Sequence, residues 1–282
     1  MKFSVNEFRD WNNKKVTLLG MSGVGKTYLS TLLSGHDWFH YSGDYRIGKR
    51  YLDEPIMDLI KQQAMQVPFL RDLLRRDWID IHNNIQVHDL GPVLSFVGKL
   101  GDPERGGVAL GEFSRRQALY RDGEIAAMHD VPEFIRKAQD IYGYQHFVND
   151  VGGSLCELEE PSVIDLLVEH TLILYIQVTD SDEEQKLIER AQSDPKPLYY
   201  RPAFLEEQLA EYLQETNLEY AAEMEPDEFT RWVFPRLFHS RIPRYEAIAG
   251  PHGYTVTSRE VAGVRDENDF LELLETVIAR TP

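Results

Sequence analysis

Cysteine is almost missing from this chain: Cys156 stands alone among 282 residues. An intrachain disulfide is thereby excluded, and so is any zinc site built on several thiolates. The nine histidines show neither H-x-H nor H-E-x-x-H spacing, so no dedicated transition-metal site is legible. Long apolar runs are lacking as well. The longest, Thr171 to Val178, falls far short of the roughly 20 residues that a bilayer-spanning helix needs. The opening residues, Met1 to Glu7, have no apolar core of the signal-peptide kind. The expectation is a soluble, cytoplasmic protein without membrane contact. Positive charge is also scarce, with 30 Lys and Arg against 47 Asp and Glu and a net charge of −17 at pH 7. That balance argues against an extended nucleic-acid footprint, while local Arg and Lys remain able to hold a small anion. No N-K-x-D string that would read guanine is present, which favours ATP over GTP.

What is there suffices for a core: 42% of residues are hydrophobic and 27% charged. Five short segments read as strands, with helical patterns between them: Lys15–Leu19, Trp38–Tyr41, His146–Asn149, Leu172–Val178 and Tyr254–Thr257. Near-continuous apolar strands alternating with helices predict an α/β fold, a parallel sheet of about five strands with helices on both faces. Helices are expected over Thr27–Leu33, Pro55–Met65, Glu112–Met128, Pro132–Tyr142 and Ser162–Val168. A further one should begin at Ser181, with Glu184 completing a capping box, and run to about Gln192. Two more follow from the helical spacing of Phe204, Leu205, Leu209, Tyr212 and Leu213 and of Phe270, Leu271, Leu274, Val277 and Ile278. The reading is one domain over 1–282, with a helical insertion at about 50–144, between the second and third strands, and a lid-like extension at about 190–240.

The most specific string is Gly20-Met21-Ser22-Gly23-Val24-Gly25-Lys26-Thr27, a full match to G-x-x-x-x-G-K-[ST]. Its glycines let backbone N–H groups converge on phosphate oxygens, and the following helix turns its positive end to the same charge. Lys26 would reach the outer phosphates and the Thr27 hydroxyl a Mg²⁺ ion. Chance produces such a string in roughly one chain per hundred of this length, and the flanking strand and helix are the context the motif requires. ATP and Mg²⁺ are the expected cofactors, held by Gly20, Ser22, Gly23, Val24, Gly25, Lys26, Thr27 and Tyr28.

A second carboxylate on the metal side has two candidates, Asp150 after the third strand and Asp180 after the fourth. Asp180-Ser181-Asp182-Glu183-Glu184 is explained fully as a helix start. Asp150 has no such local explanation and is followed by Gly152-Gly153, so it is preferred. Asp44, just past the second strand, lies where open α/β sheets bind ligands, yet Ser42-Gly43-Asp44 is equally ordinary turn chemistry.

These residues together resemble the small-metabolite kinases of the shikimate kinase and gluconate kinase type, relatives of the nucleoside monophosphate kinases. The resemblance implies a P-loop NTPase with strand order 2-3-1-4-5. The segment Phe39 to Ile47 is similar to one that carries a D-x-D pair; Asp44 matches the second Asp, which contacts the substrate hydroxyl, while Ser42 replaces the first. Gly111-Glu112-Phe113-Ser114-Arg115-Arg116 looks like the substrate-arginine segment, and Gly152-Gly153-Ser154 like the substrate-side glycine loop. Glu189-Arg190 followed by Lys196-Pro197-Leu198 resembles the lid. Lys196 stands there where an Arg is usual, and an ammonium cannot grip a phosphate with two parallel hydrogen bonds as a guanidinium does. Arg241-Ile242-Pro243-Arg244-Tyr245 is similar to an R-x-P-x-Y element whose Arg helps to bind substrate. The implied reaction is γ-phosphoryl transfer from Mg-ATP to a hydroxyl of a small, anionic acceptor. Lys26 and Asp44 would be catalytic, Lys196 would close over ATP, and Arg115, Arg116, Gly152, Gly153 and Arg241 would hold the acceptor. The long insertion and the added Tyr199–Ser240 make shikimate itself a poor candidate.

Three other readings stay open. An ATPase or nucleotide switch would use the insertion to bind a protein partner; a kinase of the zeta-toxin kind would take a nucleotide-type acceptor; and a purely structural role is least favoured. Cys156 reads as a small buried hydrophobe, and Trp11, Trp38, Trp78 and Trp232 as packing. Tyr199-Tyr200-Arg201-Pro202 reads equally as an adenine stack or as core.

Overall fold

The five apolar segments become the strands of one sheet. In the computed structural model, which describes residues 2–281, the first half of the chain contains α1 (Val5–Asp10), β1 (Lys15–Leu19), α2 (Lys26–Ser34), β2 (Trp38–Ser42), α3 (Gly43–Arg46), α4 (Asp53–Ala64), α5 (Pro68–Arg75), α6 (Gly91–Val97) and α7 (Leu110–His129). After these come α8 (Val131–Asp140), β3 (His146–Asp150), α9 (Pro161–His170), β4 (Leu172–Gln177), α10 (Ser181–Ser193), α11 (Pro202–Thr216), α12 (Pro226–His252), β5 (Gly253–Thr257), α13 (Ser258–Ala262) and α14 (Glu267–Arg280). The sheet is α/β in character, five-stranded and parallel throughout, in the order β2-β3-β1-β4-β5 with helices around it. Among the described residues no helix is long and apolar enough to cross a membrane.

The chain divides into two compact units. The first comprises the residues up to Gly43, Ala127–Pro195 and those from Arg231 on; the second comprises Asp44–Ala126 and Lys196–Thr230. Most of the expected insertion and extension thus falls in the second unit.

The first unit holds the sheet. Val16, Leu18, Leu19, Val148, Leu172, Ile173, Leu174 and Val256 are all fully or almost fully buried, each contributing about 1.5–3 kcal/mol of apolar burial. Polar groups inside the sheet form a hydrogen-bonded chain. The Thr171 hydroxyl donates to the Leu167 carbonyl (2.7 Å), so it accepts from Thr17 (2.8 Å), which in turn accepts from the Asn149 amide (3.2 Å). That order ties β3, β1 and the start of β4 together. Trp38 is fully buried, and its indole N–H donates to Glu267 (2.6 Å), the partner that a buried Trp requires.

The second unit has an aromatic core. Tyr200 lies against Phe113, Phe204 and Phe229, and Tyr212 packs edge-on against Phe229. Tyr199 and Tyr200 are both buried and stack on neighbouring rings, Tyr199 on Tyr120, so they are core contacts.

Two local expectations are corrected, and one helix continues through residues that locally oppose it. The capping box from Ser181 does not form; Asp180 is the N-cap of α10, its carboxylate accepting from the amides of Asp182 (2.8 Å) and Glu183 (3.2 Å). A carboxylate one residue earlier outcompetes the serine because it can take both amides. Trp78 is not packed inside: it is 66% exposed, with Arg76 over its ring. Finally, α12 runs through Pro235, Pro243 and Pro251, although each proline removes one helical hydrogen bond. Burial of Phe229, Val233, Leu237, Phe238 and Tyr245 along the same helix offsets that deficit.

Candidate functional site

In a parallel sheet every strand ends on the same edge, so the loops after β1 and β3 emerge as neighbours. The loop after β1 is Gly20 to Gly25. Gly20, Gly23 and Gly25 have φ of +146°, +92° and +106°, values that side chains rarely adopt. A Cβ on Gly20 would also lie 2.7 Å from the Ile176 carbonyl oxygen. Gly25 is the N-cap of α2 and supplies no side-chain bond. The helices that follow β4 and β5 are capped by Asp180 and Thr257. Of these three helices, α2 alone leaves its first amides for an outside anion.

Lys26 is buried and folds back over its own loop, its ammonium donating to the carbonyls of Gly20 (2.7 Å) and Met21 (2.9 Å). The Thr27 hydroxyl donates to Asp150 Oδ2 at 2.9 Å. Asp150 ends β3, opposite Leu18 on one side and Ser42 on the other, and is 8% exposed. His40 brings Nε2 to 3.8 Å from the same carboxylate oxygen, and this nitrogen has no hydrogen-bond partner among the described residues. Asp180, the rival, is occupied: it caps α10 and pairs with Arg259. Its carboxyl is held below the usual range, first by the Glu183 amide.

The turn after β3 closes against the loop. A Cβ on Gly153 would stand 3.2 Å from the Ser22 amide nitrogen and 3.7 Å from Nη1 of Arg241. Gly152 precedes it and is buried. The Tyr245 hydroxyl donates to the Gly153 carbonyl; burial raises the Tyr245 pKa far above that of a free phenol, so it remains a donor. Tyr245 stacks on Tyr175, and Cys156 is buried beside the Tyr245 hydroxyl.

Two residues on this side carry no individual role among the sequence expectations, where Arg190 stands only within the lid-like string Glu189-Arg190. Arg190, on α10, places its guanidinium within 4.0 Å of a Gly23 Cβ position, next to Leu187 at 3.0 Å. The two lie three apart and share a helix face, so helical spacing from the start of α10 could have pointed to Arg190. His40 is the other, and no sequence pattern announces it. Val261 comes within 3.0 Å of a Gly25 Cβ position, and the Tyr28 hydroxyl donates to the Val264 carbonyl (2.9 Å).

The first unit therefore gathers Gly20–Tyr28, Asp150, Gly152, Gly153 and Arg241. No protein-family model and no curated protein matches this chain. The remaining expected residues belong to the second unit. Asp44 accepts from the Tyr120 hydroxyl (3.2 Å). Arg115 forks onto Glu112 (2.8 and 2.9 Å), and Arg116 bonds both Glu112 (2.7 Å) and the Phe96 carbonyl (2.9 Å). These contacts, the Arg115 hydrogen bonds first, lower the Glu112 pKa to about 2. Glu112, Arg115 and Arg116 border an open cavity of about 590 Å³ with Gln62, Gln63 and Gln66, and Asp44 does not line it. Lys196 is exposed. Among the described residues no group of three or more His, Cys, Asp or Glu side chains could hold a metal by itself, so a cation at Thr27 and Asp150 would need ligand oxygens too.

Proposed function

We propose that this chain binds a nucleoside triphosphate, ATP in preference, with Mg²⁺ at the loop Gly20–Thr27, in the manner of a P-loop NTPase. The observation that carries the reading is the Thr27–Asp150 hydrogen bond beside an uncapped helix N-terminus and a loop-bound lysine. The donors fit the group: glycines at positive φ open the loop amides, Lys26 supplies a cation, and a hydroxyl and a carboxylate meet where a hard divalent ion takes oxygen ligands. Mg-ATP, when bound, supplies the phosphoryl group and the cation that offsets its charge. Lys26 would exchange the loop carbonyls for phosphate oxygens. Arg190, against Gly23, is the lid-side cation in this reading, a role the resemblance assigns to Lys196. Asp150 orients the Thr27 hydroxyl.

The reaction is proposed as transfer to a hydroxyl of a small acceptor, with Asp44 orienting or deprotonating that hydroxyl. A second reading, hydrolysis coupled to a protein partner, is favoured by one observation: Arg115 and Arg116 are both engaged with Glu112.

ADP release from Mg-ATP by the purified protein, alone and with pools of small metabolites, tests both, with Lys26→Ala as the blank. Acceptor-stimulated release that disappears in Lys26→Ala and in Asp44→Asn, with ATP affinity kept in the latter, is the expected result. Release that no pool changes supports the hydrolysis reading instead.

A further inference from the structure

The resemblance gives Arg241 to the acceptor, but its surroundings in the first unit point to a different partner. Nη1 of Arg241 and the amide nitrogen of Ser22 converge on one point, the place a Gly153 Cβ would occupy, at 3.7 and 3.2 Å. Ser22 belongs to the loop Gly20–Thr27, so the Arg241 guanidinium lies beside an amide of the loop that would hold the anion. Glycine at 153 keeps that point open, since a methyl group there would separate the two donors.

The guanidinium is well seated. Arg241 is 4% exposed, and its Nε lies 3.8 Å from the fully buried carboxylate of Glu157. One edge of the fork therefore faces Glu157 and the other faces Gly153. Arg241 and Tyr245 are four apart on α12 and share a face. Tyr245 holds the Gly153 carbonyl, so one helix face fixes both the turn and the cation beside it. In the nucleotide reading, this would be the side of the outer phosphates. The turn begins at Asp150, which with Thr27 would hold a metal ion able to offset the charge of the outer phosphates.

We propose that Arg241 binds the terminal phosphate and lets the site distinguish a nucleoside triphosphate from the diphosphate. The proposal rests on the nucleotide reading above.

The test is titration calorimetry with Mg²⁺ and either ADP or the β,γ-imido analogue of ATP, without any acceptor. Arg241→Gln should weaken the triphosphate analogue about tenfold or more and ADP less than about twofold, the effect expected of one charge-assisted fork. Arg244→Gln removes the other guanidinium near Glu157 (3.8 Å) and should change neither. If Arg241→Gln does not fold by circular dichroism, Arg241→Lys keeps the charge without the fork and should still lower the preference for triphosphate. An unchanged ratio of the two affinities in a folded variant overturns the assignment and leaves the nucleotide reading standing. A wild-type protein that binds neither nucleotide overturns both.

Discussion

Asp150 ends β3 and Asp180 follows β4 as the cap of the next helix, and their partners separate the two carboxylates. The carboxylate of Asp150 receives the Thr27 hydroxyl at 2.9 Å, whereas that of Asp180 is occupied by two amides of its own helix and by Arg259. The same contrast appears among the arginines. Arg190 and Arg241 lie against glycines of the loop and of the neighbouring turn, while Arg115 and Arg116 are bonded to Glu112. Asp150→Asn should therefore leave nucleotide affinity in EDTA close to wild type and raise the Mg²⁺ concentration needed for tight binding about 10- to 100-fold. Binding of a fluorescent ATP analogue across a Mg²⁺ titration measures this. An unaltered Mg²⁺ requirement would remove Asp150 from the metal side.

At the scale of elements, caps and clamps separate binding from stability. Asp180 is the N-cap of α10, so Asp180→Ala should lower the denaturant midpoint and leave nucleotide binding unaltered. Denaturant titration beside calorimetry shows whether the two effects part in this way. The clamp from Asn149 through Thr17 to Thr171 lies inside the sheet. Thr17→Val keeps the shape but deprives the Asn149 amide of its acceptor and Thr171 of its donor, and should destabilise by about 1–3 kcal/mol in a urea midpoint measurement. Strands and most helices are legible in the sequence because apolar spacing reports the buried face directly. Three kinds of feature are not. The cap of α10 shifts by one residue because serine and aspartate both cap well, and geometry chooses between them. The unbroken α12 is hidden by prolines that locally argue against a helix. Trp78 is of a type that is usually buried, and type carries no information about which faces find a partner.

Across the whole molecule, acidity sets the response to pH. The net charge is −17, and two carboxylates bound to arginine, Glu112 in the second unit and Glu260 in the first, titrate at about 2 instead of 4.5. The Arg280 hydrogen bond is the main cause for Glu260, and the Arg115 bond for Glu112. A folded-state pKa lowered in this way means that both contributions are complete above pH 4.5 and disappear as the pH falls toward 2. The melting temperature should hold near neutrality and fall across that window, less steeply in Glu260→Gln. A fall of equal slope in the variant would show that Glu260 carries none of the dependence.

The sequence by itself determined the local features: the glycine-lysine loop, the strand that leads into it, and the helix that leaves it. Each depends on residues close together in the chain, where backbone freedom and apolar period act directly. Which carboxylate meets Thr27 was decided only by the tertiary structure, because Thr27 and Asp150 are 123 positions apart and parallel pairing of β1 with β3 brings them together. His40, Arg190 and the placement of Arg241 beside Gly153 followed for the same reason. A side chain acquires a role from what the fold sets against it, and no local pattern encodes a contact across the sheet.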